Sequence, residues 1–395
     1  MTSASLRKSR LLWVPNGCGV VASFVLAGLF APWTSAQTPI CPQPDPNSAG
    51  GPCNFSNPPD CPPNQVDACD YIDVMVVYTT LVAEGNPGPD DDIEDPNELL
   101  PRVLAAVAFA NQGLSEGRTC ARFRLVGLRE VPYREAQQDS DWGINTILRK
   151  MKTSAAFQPA RDWRDTVAAD MLCLIYWDDG SSFLGVGNSG VGRQCCHLTA
   201  KPSNGVCAVH SSEVGAGNNV FRHELGHTLG LAHHDGTGVI PFGRGKVHIE
   251  GPFHPCNFAT AMVNLPLTTV TPIHYSNPRI IFNPPTCSEP TGDVDDRDAV
   301  RAINIALPVL SRLRVRDCNA NGTPDHCEPL ACRAAAIAPP QNVVTLADLA
   351  LLKVASPSSV GDTHYNPCAD LDDDGLVNGR DLNLLLSVFG QTCPP

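Results

Sequence analysis

Apolar residues fall along this chain in two rhythms. Ile72–Thr79 is an apolar, β-branched run and Met171–Trp177 a second continuous apolar run; both read as buried strands. Phe123–Val131 alternates apolar and polar residues, as a strand does. Asn97–Gln112 has helical spacing, with Leu99, Val103, Val107 and Ala110 on one face. Strands and helices in this alternation imply an α/β layer with a largely parallel sheet. Gly180–Gly205 is rich in Gly, Ser and Cys and reads as loop, with Val206–Ser211 a short edge strand after it. Val220–Leu229 reads as a helix closed by Gly230. Asp293–Leu313 is a further helical pattern, apolar at Val294, Ala299, Ala302, Ile303, Leu307 and Leu310, with Pro308 placed to kink it.

The rhythm changes at Asp317, where the chain becomes acidic and repetitive. Residues 341–352 align with 374–385 at an offset of 33. That self-similarity predicts a duplicated loop-helix unit.

Composition adds what the pattern leaves open. The chain has 395 residues with 43% hydrophobic and 17% charged, which suits a globular core. Its formal charge of -13 argues against nucleic acid or an anionic membrane as partner. Arg7, Lys8 and Arg10 precede the apolar stretch Val20–Phe30, and Thr34-Ser35-Ala36 offers small residues before Gln37. This is the layout of an export signal. The alternative is an uncleaved membrane anchor, but Pro15 and Asn16 leave the apolar run short for a span, so cleavage is expected, with no membrane span afterwards. Of 17 cysteines, Cys18 lies in the signal, leaving an even number in the mature chain. That count suits disulfides in an oxidising, extracellular setting, with pairing left open. No paired CxxC motif competes as a structural zinc site.

The chemistry concentrates in His223-Glu224-Leu225-Gly226-His227-Thr228-Leu229-Gly230-Leu231-Ala232-His233. On a helix, His223 and His227 are four apart and share a face. Glu224 then lies beside their common ion, placed to act as general base on an attacking water. Gly230 permits the sharp left-handed turn that returns His233 as third ligand. Three protein ligands leave one position open, the mark of a catalytic zinc.

This HExxHxxGxxH run resembles the metzincin metallopeptidases, whose further mark is a Met-turn beneath the zinc. Met262, in Ala259-Thr260-Ala261-Met262-Val263-Asn264, follows His233 by 29 residues and is the candidate. Within the metzincins the chain resembles reprolysin-like enzymes, including bacterial peptidyl-Asp metalloendopeptidases. Ile72–Thr79 is similar to their first strand, and His274-Tyr275-Ser276-Asn277-Pro278 to the segment after their Met-turn. The resemblance covers residues 71 to 316. It implies a mixed, mostly parallel sheet with an active-site helix, one catalytic zinc and a protein or peptide substrate. It also implies an extended substrate lying antiparallel to an edge strand, for which Val206–Ser211 is the candidate. The S1′ pocket would be walled by Met262 to Tyr275, with Tyr275 either a substrate contact or a packing residue there. His234 stands where these enzymes commonly carry Asp, and reads as a spare ligand or a surface histidine. No tyrosine stands two residues after Met262. The leader lacks a cysteine-switch consensus, which leaves Cys41, Cys53, Cys61 and Cys69 as disulfide partners or, for one of them, a zinc cap.

In the tail, Asp370, Asp372, Asp374, Leu376 (by its carbonyl), Asn378 and Asp381 fall at EF-hand loop positions, with Gly375 at the sixth. Asp317, Asn319, Asn321, Thr323, Asp325 and Glu328 fit the same spacing, and Cys318 and Cys327 flank those ligands as a candidate pair. One or two calcium ions are therefore expected. The tail resembles a dockerin-like module with one calcium loop. Its other loop carries Ile337, Pro339 and Gln341 at the first ligand positions and should bind none. A surface or cohesin-like partner follows from that resemblance.

The expected layout is a signal at 1–36, a Cys/Pro-rich leader or propeptide at 37–70 and a metzincin-like zinc peptidase domain at 71–316. A calcium-loop repeat at 317–334 and a dockerin-like module at 335–395 complete it. The expected function is a secreted or surface-attached zinc endopeptidase. A surface adhesion or scaffold protein with a vestigial peptidase domain, and a zinc amidase acting on non-protein amides, are the alternatives.

Overall fold

A computed structural model describes residues 61, 71–85, 96–134, 144–177, 184–194, 197–215, 217–251, 254–264, 272, 274–282, 287–321, 323, 325–338, 342–359, 362–372 and 375–393. The chain divides after Gln43, and all described residues belong to the second unit. The expected signal, all of the leader except Cys61, and Asp374 lie outside the described residues.

A five-stranded sheet organises the chain before the tail. Its strands are β1 (Tyr71–Thr79), β2 (Arg122–Val131), β3 (Met171–Tyr176), β4 (Gly185–Asn188) and, after the small hairpin β5 (Val191–Gln194) and β6 (His197–Ala200), β7 (Val206–His210). The order is β2-β1-β3-β7-β4. Four strands run parallel, and β4 joins β7 antiparallel with Gly185 opposite Val209 and Asn188 opposite Val206. The fold is thus mixed α/β with a mostly parallel sheet.

Helices cover both sheet faces, which is why the central strands are apolar throughout. On one face, Ile72, Val74, Val76, Cys173 and Cys207 meet Leu99, Val103, Val107 and Ala110 of α1 (Pro96–Glu116). On the other, Met75, Val77, Leu172 and Leu174 meet Ile147, Leu148 and Met151 of α2 (Ile144–Thr153) and Ala160 of α3 (Gln158–Thr166). Alternate residues of each strand point to opposite faces, so each run feeds two cores.

The first face also receives α4 (Asn219–Thr228) and α5 (Ala299–Leu310). Between them lie two small antiparallel pairs, β8 (Val247–His248) with β9 (Phe258–Ala259) and β10 (Ile281–Phe282) with β11 (Glu289–Pro290). Helix α5 is shorter than its apolar pattern suggests. Asp298 caps it by accepting the Arg301 N–H at 3.0 Å, and the preceding Asp293–Arg297 forms a hydrogen-bonded turn. Val294 is accordingly exposed rather than core.

Two other expectations are corrected here. Gly180–Gly205 is not simply loop, since it contains β4, β5 and β6. Val206–His210 is not an edge, because β4 lies outside it.

The tail has its own core, built from α6 (Leu330–Ala335), α7 (Leu346–Ala355) and α8 (Gly379–Ser387), with the short pair β12 (Ser358–Ser359) and β13 (Leu376–Val377). The duplication is visible at the level of single hydrogen bonds. Asp348 accepts the N–H groups of Ala338 and Thr345, and Asp381 accepts those of Leu371 and Asn378. Each carboxylate is fully buried and closes a capping box at its helix start. Disulfides join Cys318 to Cys368 and Cys332 to Cys393. The candidate Cys318–Cys327 pairing is therefore wrong: Cys318 is held by a cysteine 50 residues on.

Candidate metal centre

Helix α4 begins where Asn218 accepts the Val220 N–H at 3.0 Å and ends in a left-handed turn at Gly230, φ +92°. The Leu231 N–H reaches the Gly226 carbonyl and the Gly230 N–H the His227 carbonyl. This is the paired bonding of a Schellman cap, which needs a residue at ease with positive φ. The chain beyond is fixed by the Ala232 N–H donating to the Gly243 carbonyl at 2.9 Å.

The turn brings three imidazoles to one point. His233 Nε2 lies 3.0 Å from His223 Nε2 and 3.0 Å from His227 Nε2. Backbone carbonyls set the rings from behind. His223 Nδ1 donates to the Ala261 carbonyl at 2.8 Å and His227 Nδ1 to the Leu231 carbonyl at 3.0 Å. Those bonds leave the two Nε2 atoms as acceptors turned toward the third ring. Three lone pairs this close repel one another unless a cation lies among them. Tetrahedral zinc at ordinary Zn–N distances would hold such nitrogens ~3.3 Å apart, so the set fits zinc. Ala261 and Leu231, which orient the ligands, carry no side-chain signal that a sequence search could find.

Burial keeps these rings neutral. It lowers His223 to about 3 and His227 to about 4, with the neighbouring imidazoles adding to the effect. His233 is also lowered, again by burial first. Burial pushes the Glu224 carboxyl up to about 8. Its Oε2 has no hydrogen-bond partner among the described residues. A dication beside it would draw that value down and favour the ionised form.

The rings and Glu224 line a cavity of about 530 Å³ with Leu184, Gly185, Val186 and Gly187 along one side. That side is the outer edge of the sheet, pressed onto α4. A Cβ at Gly185 would lie 2.6 Å from Glu224 Cγ, and one at Gly187 would lie 2.7 Å from His227 Cβ and 2.5 Å from the Glu224 carbonyl oxygen. These two glycines let the strand approach the helix, a role glycine plays inside strands. The sequence reading missed both.

Met262 is fully buried beneath α4, where a Cβ at Gly226 would collide with its Sδ. Tyr275 does not line the cavity. It is fully buried, and its hydroxyl donates to the Arg222 carbonyl at 2.8 Å, so it packs against the helix from behind rather than contacting substrate. Ser276 and Asn277 tie this segment to the rest of the face. Ser276 Oγ accepts the Ala299 N–H, and Asn277 Nδ2 donates to the Gly117 carbonyl. His234 Nδ1 lies 4.0 Å from Asp235, and His234 is not part of the three-histidine cluster. Cys61 is joined to Cys120 and is not a cap on the site.

In the tail, carboxylate oxygens of Asp370, Asp372 and Asp381 lie within 4.8 Å of one another. Asn378 is spent as the cap of α8, accepting the Arg380 N–H at 2.7 Å, and the Leu376 side chain is partly exposed. In the 317–328 loop, Asn319 donates to Glu328, and Asn321 accepts the Thr323 N–H and donates its own N–H to Asp317. Asp325 departs from the expected ligand set. It accepts the Cys318 N–H at 2.9 Å and lies 3.4 Å from Arg316.

A family model described as metallo-peptidase family M12B, reprolysin-like, matches residues 79–289. The chain is 25% identical over 270 residues to a protein of Pseudomonas aeruginosa named peptidyl-Asp metalloendopeptidase, covering 62% of this chain and 40% of that protein. It thus spans well under half of that relative's length. Among solved structures, one described as a chaperone-substrate complex aligns at 20% identity with a TM-score of 0.46, over 62% of this chain and 35% of that one. Metalloproteinase-II from Bacteroides fragilis aligns at 13% identity with a TM-score of 0.26, over 47% and 48% of the two chains.

Proposed function

Since the chain belongs to the reprolysin-like metallopeptidases of family M12B, we propose that it is a secreted zinc-dependent endopeptidase with Glu224 as general base. The observation that carries this reading is the convergence of three Nε2 atoms in one cavity beside a buried Glu224 oxygen that has no partner among the described residues. His223, His227 and His233 would hold the zinc. When bound, zinc supplies Lewis acidity that polarises a scissile carbonyl and makes water acidic enough to attack it near neutral pH. Glu224 takes the proton from the attacking water and passes it to the leaving amine. Its burial suits that second duty, because a carboxyl in an apolar wall holds a proton readily.

The substrate strand has a different berth from the one the sequence indicated. Val206–His210 is paired on both sides, by β3 and β4. Strand β4 keeps an outer edge that faces the cavity through Leu184–Gly187. An extended peptide would pair there, passing Glu224 at close range because Gly185 and Gly187 present no side chains. The described lining carries no lysine or arginine. Among the described lining residues, nothing favours an acidic side chain over other peptide side chains.

We propose further that residues 370–381 bind calcium within a dockerin-like module that attaches the enzyme to a surface or cohesin-like partner. The close carboxylates of Asp370, Asp372 and Asp381 support a calcium there. Each loop has an ion-paired aspartate, Asp372 with Arg380 at 2.9 Å and Asp325 with Arg316 at 3.4 Å, and the 317–328 loop is the weaker candidate because its Asn319 and Asn321 are bonded to Glu328. Calcium titration by calorimetry should give heat with the wild type and less with Asp372→Asn. Absence of heat from the wild type would remove calcium from this reading.

Casein hydrolysis tests the enzyme. Activity should vanish with a chelator and return with zinc. Glu224→Gln should bind zinc at wild-type stoichiometry and cleave nothing. A wild type that binds zinc and cuts no peptide would sink the proposal in favour of a vestigial domain. Cleavage of non-protein amides alone would favour an amidase.

A further inference from the structure

We infer that His248, Glu250 and Glu289, with His254 drawn in through the other oxygen of Glu250, form a second divalent-metal site of the zinc class, separate from the three-histidine centre. The side chains come from β8, from the excursion between β8 and β9, and from β11. Glu250 is the pivot. One of its oxygens lies 3.0 Å from His248 Nε2 and the other 3.1 Å from His254 Nδ1. Glu289 brings a carboxylate oxygen within 4.8 Å of the His248 nitrogen and of Glu250.

Three features mark this as a prepared cluster rather than a chance meeting of surface groups. First, the ligands are held. The His248 ring stacks on buried Phe258, with centroids 5.6 Å apart and planes at 19°. Buried Asn257 accepts the Glu250 N–H at 2.8 Å and donates to the Gly251 carbonyl at 2.6 Å, fixing the backbone that carries the pivot. Such outer bonds are what orient metal ligands. Second, His254 Nδ1 receives the Cys256 N–H at 3.3 Å. That nitrogen is then a lone-pair atom, facing a carboxylate oxygen 3.1 Å away. That nitrogen has a single lone pair, so a cation would replace its long Cys256 contact, with the adjacent Glu250 oxygen as a second donor. Third, the donors are two imidazoles and two carboxylates. Their two negative charges balance a dication, and nitrogen with oxygen donors suits zinc better than calcium or magnesium. Glu250 and His254 side chains are 41% and 40% exposed, so they can close on an ion without moving the backbone.

An ion here would brace residues 249–251 and 254–257 against β11. Strand β9 leads directly from that excursion into Thr260, Ala261 and Met262. Ala261 is the residue whose carbonyl orients His223. The second metal would therefore stiffen the support of the first without touching substrate.

The test counts zinc in the full-length protein after equilibration with zinc and removal of excess. The wild type should carry two ions per chain, and His248→Ala/His254→Ala one. Glu250→Gln, a conservative change on an exposed side chain, should also carry one and guards against misfolding of the double variant. His223→Ala/His227→Ala should keep the second ion, which separates failure of this site from failure of the catalytic one. Added zinc should raise the melting temperature of the wild type more than that of Glu250→Gln. A wild type whose only zinc is lost in His223→Ala/His227→Ala, or a second zinc that survives both His248→Ala/His254→Ala and Glu250→Gln, would overturn the assignment.

Discussion

Burial holds the His223 and His227 rings far below the ordinary imidazole value of 6.5, at about 3 and about 4. Protons therefore compete weakly for the nitrogens that would take zinc. Dialysis at pH 5 followed by metal analysis should find the zinc retained, and its loss there would mean the rings titrate near their usual value. The same depression costs the metal-free fold in acid. As pH falls below about 6.5 the unfolded chain takes up protons that the folded rings refuse, so stability is present above that value and declines toward pH 3–4. Urea unfolding of the metal-free protein between pH 7 and pH 5 measures this. Gly230 makes a separate demand. With φ at +92°, Gly230→Ala should cost roughly 1–2 kcal/mol. It should also lower zinc affinity, because the cap that strains is the one that delivers His233.

Among the elements, the pairing of β4 with α4 decides whether a cleft exists. Gly187→Ala would press a methyl onto the Glu224 carbonyl and the His227 Cβ. We expect about 1–3 kcal/mol of destabilisation from overpacking and a drop in kcat/KM of about a hundredfold from displaced catalytic groups. Thermal melts and peptide kinetics give both values, and an unperturbed kcat/KM would show that strand and helix do not need that contact. This pairing also marks where the sequence stopped being readable. The strands β1, β2 and β3 and helix α4 announced themselves, because each owes its form to its own apolar pattern or caps. Glycine in β4 serves a neighbour that is distant in sequence, so locally it was indistinguishable from loop glycine. Whether Val206–His210 lies inside or at the edge depends on β4 and could not be read from its own residues. Tyr275 was misplaced for a similar reason: the backbone carbonyl that accepts from it belongs to Arg222. The histidine triad was legible because helical spacing and one glycine determine it.

Across the molecule, the tail is tied to the peptidase portion. Arg316 donates to the Pro367 carbonyl at 3.1 Å, and the Cys318–Cys368 bridge crosses beside it. Reduction should therefore lower the melting temperature of the tail before that of the peptidase portion, since the tail core is small and carries two of the described bridges. Calorimetry with and without reductant checks this, and a single unchanged transition would argue against it. The two bridges also interleave along the chain: 318 to 368 overlaps 332 to 393. Every peptide bond between Cys332 and Cys368 lies inside both loops at once. The proposed endopeptidase would be exposed to its neighbours' cuts, and a single nick in this stretch would leave the two pieces covalently joined. On a gel without reductant such a molecule would run as a whole chain, and only thiol would reveal that it had been cut.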